Sequence, residues 1–387
     1  MISYLKRYTK HFDYPLFITY MFLCLFGLVM IYSASMVWSV NRYDFEPDHF
    51  YKKQVLNLIL AVPVFLIGAL FPYKHYRKKP MMVAMLVVMF TLLVAVHFIG
   101  YAAGGAKSWI NLGFGNLQPS ELAKIIMVLY FAGVFANKAR KGPIDSFNQS
   151  IAPPVTVLVL AVALVLSEVD MGSAMIIFFT AISVMAASGI QIRTFVKISG
   201  IIIGALALIT PVLYLLRDTL ITERRLGRLE AFLNPFEYEQ GYGYQVVNGY
   251  LAIGAGGLKG LGLGQSVQKQ GYLPEPQTDF IMAIIAEELG IVGVLIVIGG
   301  LGFIVLRALT IALKAQDPHA RMIAAGFGSY IGFQTFINLG GLLGLIPLTG
   351  VPLPFISYGG TSVILLSLAM GILLNVSMFV KFEKTRI

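Results

Sequence analysis

The chain has 387 residues, 57% hydrophobic and 12% charged, with a mean hydropathy of +0.79. Soluble domains carry about 25% charged residues, so half that share points to a membrane protein. The single cysteine, Cys24, excludes an internal disulfide and any zinc-type cysteine spacing. Five scattered histidines argue against an all-protein transition-metal site, and the net charge of +10 sits in short loops between apolar runs, unlike a nucleic-acid-binding surface.

Runs of roughly 18 or more mostly apolar residues are long enough to cross a bilayer. Ten such spans are predicted, near 15–37, 54–71, 81–101, 120–137, 152–168, 171–190, 194–216, 280–306, 322–345 and 359–380. The first run is too long for a cleaved signal and is expected to stay as a span. Only Glu168-Val169-Asp170 separates the fifth span from the sixth. The predicted fold is therefore all-α, a single polytopic domain over 1–387. Most Lys and Arg fall in alternate loops, notably Lys74–Lys79, Lys138–Lys141 and Lys381–Arg386. The positive-inside rule then places both termini in the cytoplasm.

On the outer side the fourth span opens with Gln118-Pro-Ser-Glu-Leu-Ala-Lys124. Ser120 is expected to cap this helix, with Glu121 at its first position. Glu121 and Lys124 are three apart and share a face, which suits a structural ion pair. Alternatively, Lys124 faces a cavity and holds a diphosphate. Trp109, in the preceding loop, reads as an interfacial anchor. Asp170 sits in the turn between the fifth and sixth spans, either as a solvated turn acid or as part of a polar site.

The segment 217–278 is predicted to be one long outer loop. It opens with Arg224, Arg225 and Arg228, which helical spacing puts largely on one face. These suit either anionic lipid headgroups or a diphosphate-bearing substrate. The glycine-rich stretch Gly254–Gly264 permits tight turns and close backbone approach but lacks the Gly-Lys-Ser/Thr of a phosphate loop. Next comes Leu273-Pro-Glu-Pro-Gln-Thr-Asp-Phe-Ile, leading into an apolar helix that carries Glu287 and Glu288. Thr278 is the expected cap, with Asp279 in the first turn, either as a dipole-stabilised acid or as a general base at the membrane interface. Glu287 and Glu288 are assigned supporting roles. Pro347–Ser362 is a proline-rich loop in which Ser357, Gly359, Gly360 and Thr361 are placed to wrap a polar ligand. Glu121, Asp170 and Asp279 all fall on the outer side, which favours one shared polar site.

Taken in order, Gly-Ala-Lys-Ser-Trp-Ile, Gln-Pro-Ser-Glu-x-x-Lys, Thr-Asp-Phe-Ile with Glu-Glu-x-Gly, and Pro-Leu-Pro-Phe-Ile-Ser-Tyr-Gly-Gly-Thr-Ser resemble the SEDS family (shape, elongation, division and sporulation). The likeness runs from Tyr32-Ser33 to Asn375. Phe232–Pro235 and Gly262–Lys269 resemble the division branch more than the elongation branch. The resemblance implies a ten-span glycosyltransferase that polymerises undecaprenyl-diphosphate-linked lipid II at the outer face of a bacterial cytoplasmic membrane, at the septum. It puts the family's essential aspartate on Asp279 and its charged pair on Glu121 and Lys124. The family's Gln-Pro-Asp-x-Gly-Thr falls on Glu168-Val-Asp170-x-Gly172-Ser173, with Gln, Pro and Thr replaced. The resemblance further implies a class B penicillin-binding protein among the division partners and leaves room for a divalent cation, magnesium or manganese. No nucleotide site or nucleic-acid partner is expected. An elongation-type polymerase, a lipid II flippase and a non-enzymatic scaffold are the rival readings. A flippase needs charges towards both faces, whereas the acids singled out here cluster outward.

Overall fold

The computed structural model describes residues 10–103, 106–111, 113, 115–140, 142, 150–191, 193, 196–197, 223–241 and 243–385. In chain order the elements are α1 (Tyr14–Tyr43), α2 (His49–Leu70), α3 (Lys79–Ile99), β1 (Tyr101–Ala103), β2 (Ala106–Asn111) and β3 (Asn116–Leu117). Then come α4 (Pro119–Ala139), α5 (Ala152–Ser167), α6 (Met171–Ala187), α7 (Glu223–Leu233), α8 (Tyr244–Gly256), α9 (Ile281–Lys314), α10 (Pro318–Leu342) and α11 (Gly360–Lys384). Six of these helices, α1 to α4, α9 and α11, are long and apolar enough to cross a membrane, while α5 and α6 are shorter apolar helices. The predicted seventh span, 194–216, lies outside the described residues except for 196–197.

Burial separates an inner group of helices from an outer one. The apolar stretch of α11 is 89% buried and that of α4 72%, against 17% for α3. Helix α11 lies tightly along α2 because Gly68 and Gly371 remove side chains where the backbones meet. A methyl on Gly371 would collide with the Phe65 carbonyl oxygen, and one on Gly68 would stand 2.8 Å from that of Leu368. Small residues at such crossings let apolar helices pack in a solvent that gives them no hydrophobic drive to associate. Helix α10 packs against α4, α6 and α9, and this group carries the polar groups described below.

Three predictions need correction. The chain is mostly helical but not all-α, since β1, β2 and β3 form an antiparallel meander with Trp109 on its middle strand. The segment 217–278 is not simply loop, since it contains α7, α8 and a short 3-10 turn at Gln268–Gln270. Third, the span predicted at 280–306 is broken at Gly290, where φ is 60° and ψ −149°. The break has a visible cause. The glycine-rich turn after α8 inserts against it, so that Leu261 N–H donates to the Glu287 carbonyl, Gly262 N–H to that of Glu288, and Ile291 N–H to that of Leu258. Every backbone group in an apolar interior needs a partner, and this exchange supplies them. A methyl on Gly290 would lie 2.5 Å from both Gly260 N and Leu258 O, so only glycine fits.

Candidate active site

The site is built around the mouth of α9. Pro274 and Pro276 delay the helix, which begins at Ile281 with Phe280 as its cap. Asp279 therefore precedes the helix instead of lying in its first turn, and Thr278 is not the cap. The Thr278 hydroxyl lies 2.7 Å from the Glu275 carbonyl, to which it donates, and 3.0 Å from Asp279 Oδ1. Asn338 of α10 fixes the backbone here, its amide donating at 2.8 Å to the carbonyls of both Asp279 and Val351. Gln334, one turn earlier, donates to Pro352 O at 2.9 Å. Tyr358 N–H donates to Gln277 O at 2.8 Å. The proline-rich loop and the Asp279 loop are thus stitched together, and a methyl on Gly350 would stand 4.0 Å from Asp279 Oδ2.

Asp170 reaches the same loop from the other side. It caps α6, accepting from Ser173 N–H at 2.9 Å. Its other oxygen accepts from Gln118 Nε2 at 3.0 Å and Ser120 Oγ at 3.1 Å, tying α4 to α6. Ser120 is consequently a hydrogen-bond donor to Asp170 and not the cap of α4, whose cap position is Gln118. Two residues on, the proline-rich loop presses against Gly172 so closely that a methyl there would collide with the Val351 side chain and stand 3.0 Å from Thr349 Cβ. Residues 349–351 therefore lie between Gly172, two residues from Asp170, and Asp279, which no local spacing in the sequence specifies.

Glu121 and Lys124 form the ion pair their spacing suggested, at 2.7 Å, with the lysine side chain 0% exposed. Tyr330 of α10 donates to the other Glu121 oxygen at 3.2 Å, and its ring lies 5.7 Å from the ammonium. Lys124 is fully buried, and its charge is compensated by Glu121 where α4 meets Tyr330 of α10. Ser357 is likewise internal, accepting from Leu353 N–H at 2.8 Å to close a turn. Gly359 caps α11, Gly360 lies near Asn57, and Thr361 donates to the Asn116 carbonyl, joining this loop to the meander. Arg224, Arg225 and Arg228 fall on α7, and their side chains lie outside the described residues. The end of α7, at Ala231 and Phe232, lines a small apolar cavity with Tyr250, Ile346 and Leu348. This places the helix beside the loop that touches Asp279.

Four features were missed in the sequence. Glu275, beside Asp279, has its carboxyl pushed up from the ordinary range by partial desolvation and by the Asp279 charge. Glu168 is buried, and neither carboxylate oxygen has a partner among the described residues. Burial, together with the neighbouring Asp170 charge, pushes it up to about 8. Val169 between them has a φ of 65°, a left-handed conformation costly for a β-branched residue. Lys269 is the buried partner of Glu288 at 2.6 Å, with Ser33 of α1 bonded to both. Glu287 accepts from the Ser266 hydroxyl and from the N–H groups of Val267 and Gln268. Both glutamates are thus engaged in holding the break in α9. Finally, Asp13 is buried at the opposite end of the bundle, paired with Arg307 and Lys381. The acids do not all cluster at one end.

Among the described residues no three of His, Cys, Asp and Glu come together to hold a metal ion. A protein cage for a divalent cation is therefore not formed among them.

Comparison with known proteins agrees with this architecture. Residues 14–382 match the FtsW/RodA/SpoVE profile, described as cell cycle protein. The chain is 45% identical to the "Probable peptidoglycan glycosyltransferase FtsW" of Bacillus subtilis, over 99% of this chain and 94% of that one. It is 38% identical to the protein of the same name from Geobacter metallireducens, over 95% of each. It is 35% identical to Stage V sporulation protein E of Bacillus subtilis, over 96% of this chain and 98% of that one. A chain from a solved assembly described as "Structural coordination of polymerization and crosslinking by a peptidoglycan synthase complex" superposes with a TM-score of 0.75 at 26% identity, covering 95% of this chain and 98% of that one. The rod shape determining protein RodA of Thermus thermophilus superposes with a TM-score of 0.67 at 25% identity, covering 95% and 96%. This chain is a multi-pass membrane protein that belongs to the FtsW/RodA/SpoVE family.

Proposed function

We infer that the chain is a peptidoglycan glycosyltransferase that builds glycan strands for the septal wall, in the manner its relatives' names describe. The observation that carries the site assignment is the placement of Asp279. It is a partly exposed carboxylate ahead of a buried half-helix, its backbone clamped by Asn338 and its side chain beside Gly350. Such a group can meet a polar substrate at the membrane boundary without carrying charge into hydrocarbon.

In the mechanism proposed, Asp279 accepts the proton of the GlcNAc 4-hydroxyl of lipid II. The freed oxygen attacks the anomeric carbon of the terminal MurNAc of the growing strand. The bond from that carbon to undecaprenyl diphosphate breaks, and the electron pair leaves with the diphosphate. One displacement inverts the α-linked donor to a β-1,4 bond, so one base suffices and no nucleophilic carboxylate is required. Asp279 then loses its proton to water. Arg224, Arg225 and Arg228 on α7 are assigned to the charge of the leaving diphosphate. Asp170 positions α4 and α6 beside residues 349–351, and the Glu121–Lys124 pair fixes α4 against α10. Ser357, Gly359, Gly360 and Thr361 shape the loop from behind.

The full proposal has ten spans, including 194–216, both termini in the cytoplasm and the Asp279 end outside. A class B penicillin-binding protein is the proposed partner, supported by the crosslinking complex to which the fold is similar. The test is polymerisation of labelled lipid II by the purified chain, with and without a class B partner. Glycan strands resolved by electrophoresis support the reading. Their absence, under conditions where a control polymerase works, would overturn it.

A further inference from the structure

At the end of the bundle opposite Asp279, α9 and α11 finish beside the start of α1. Between them lies a cavity of about 140 Å³ lined by Asp13, Arg307, Lys314, Ser377, Lys381 and Lys384. Four cationic side chains face one carboxylate. That carboxylate is saturated: Arg307 holds both Asp13 oxygens at 3.0 to 3.2 Å, Lys381 lies at 3.2 Å, and the Ser377 hydroxyl donates at 2.6 Å. Glu383, the nearest further acid on α11, turns away to Lys74 at 3.6 Å. Lys314 and Lys384 enter no ion pair among the described residues. Cations at helix C-termini answer the helix dipole, but that alone does not explain why they ring a cavity around a carboxylate that is already paired.

The adjoining face of α9 is apolar and exposed. Leu306 is 66% exposed and Leu313 87% exposed, with Leu309 exposed between them. These leucines alternate along the helix with Arg307, Thr310 and Lys314, so an apolar stripe suited to acyl chains runs beside a cationic pocket of phosphate size. A single water needs only about 10–15 Å³ of such space.

We propose that this cavity binds the phosphodiester headgroup of an anionic phospholipid, with Lys314, Lys381, Lys384 and Arg307 around the phosphate and the acyl chains along Leu306, Leu309 and Leu313. The recognising chemistry is shared with free phosphate, but the leucine stripe assigns the lipid.

The test is equilibrium binding of dioleoyl phosphatidylglycerol to the purified full chain in detergent, against dioleoyl phosphatidylcholine. Three proteins are compared: the natural sequence, Lys314→Gln with Lys384→Gln, and Lys78→Gln with Lys79→Gln. The last pair removes equal charge at the start of α3, outside the cavity, and neither double variant touches the partners of Asp13. The phosphatidylglycerol is expected to bind at least about tenfold tighter than phosphatidylcholine, from the attraction of several basic groups. The Lys314/Lys384 variant is expected to lose that preference, the Lys78/Lys79 variant to keep it, and millimolar inorganic phosphate to leave the lipid bound. Equal binding of the two lipids, equal loss in both variants, or displacement by inorganic phosphate would each overturn the proposal.

Discussion

Glu168 shows how a single residue records both its position and its surroundings. Its folded value of about 8 lies above the ordinary 4.5 because burial, and then the Asp170 charge, disfavour its ionised form. The folded state therefore holds a proton that the unfolded chain releases, and stability falls as pH rises from about 4.5 towards 8. Glu168→Gln removes that penalty. The variant is expected to melt at least about 2 °C above the natural protein at pH 9 and to match it near pH 5, read by thermal denaturation in detergent. Asp170→Asn makes a different prediction. It weakens the charge-assisted acceptance from Gln118, Ser120 and the Ser173 N–H, at roughly 1.5–3 kcal/mol in all, and lowers polymerisation with the Asp279 side chain unchanged. Both residues were visible in the sequence only as a turn. Asp170 was legible as a candidate because it falls on the same predicted side as Glu121 and Asp279 and matches a family motif, but nothing in one sequence reports that Glu168 is buried without a partner among the described residues.

Among the elements, the broken α9 organises the rest. Its apolar pattern resumes directly after Glu287 and Glu288, so hydropathy reads one span. The break is set by the remote turn at Leu258–Gly262, whose hydrogen bonds to 287, 288 and 291 cannot be read from local pattern. The Glu288–Lys269 pair beside it, both side chains buried, links α1 and the Gln268–Gln270 turn to α9. Lys269→Met leaves a buried carboxylate unpaired and should cost about 3–5 kcal/mol, whereas Lys269→Met with Glu288→Met should recover most of that loss. Denaturation midpoints of the two variants check this, and equal destabilisation by both would refute it. The Glu121–Lys124 pair, by contrast, was legible from its three-residue spacing. What the spacing could not tell is that Tyr330 completes the pair, donating to Glu121 with its ring against the Lys124 ammonium.

At the scale of the molecule, six of the ten predicted spans coincide with helices long and apolar enough to cross a membrane, because length and hydropathy are properties of the chain itself. The segment 217–278 was read poorly. Helices α7 and α8 are short, and α8 is defined by its packing on the start of α9, where Gly249 meets Phe280 and Gly256 meets Ala286. The proposed orientation follows from charge and has its own test. In a Cys24→Ser background, Lys53→Cys is expected to react with an impermeant thiol reagent added outside intact cells, and Lys314→Cys to react only after permeabilisation. The reverse pattern would invert the topology and remove Asp279 from the outer face.

The central claim is that Asp279 is the base, and the most direct measurement is lipid II polymerisation by Asp279→Asn, with its fold checked by melting and by binding of the same transpeptidase partner. A folded variant should lose at least about 100-fold in rate, the contribution typical of a positioned base. Strand synthesis by folded Asp279→Asn at the natural rate would contradict the account.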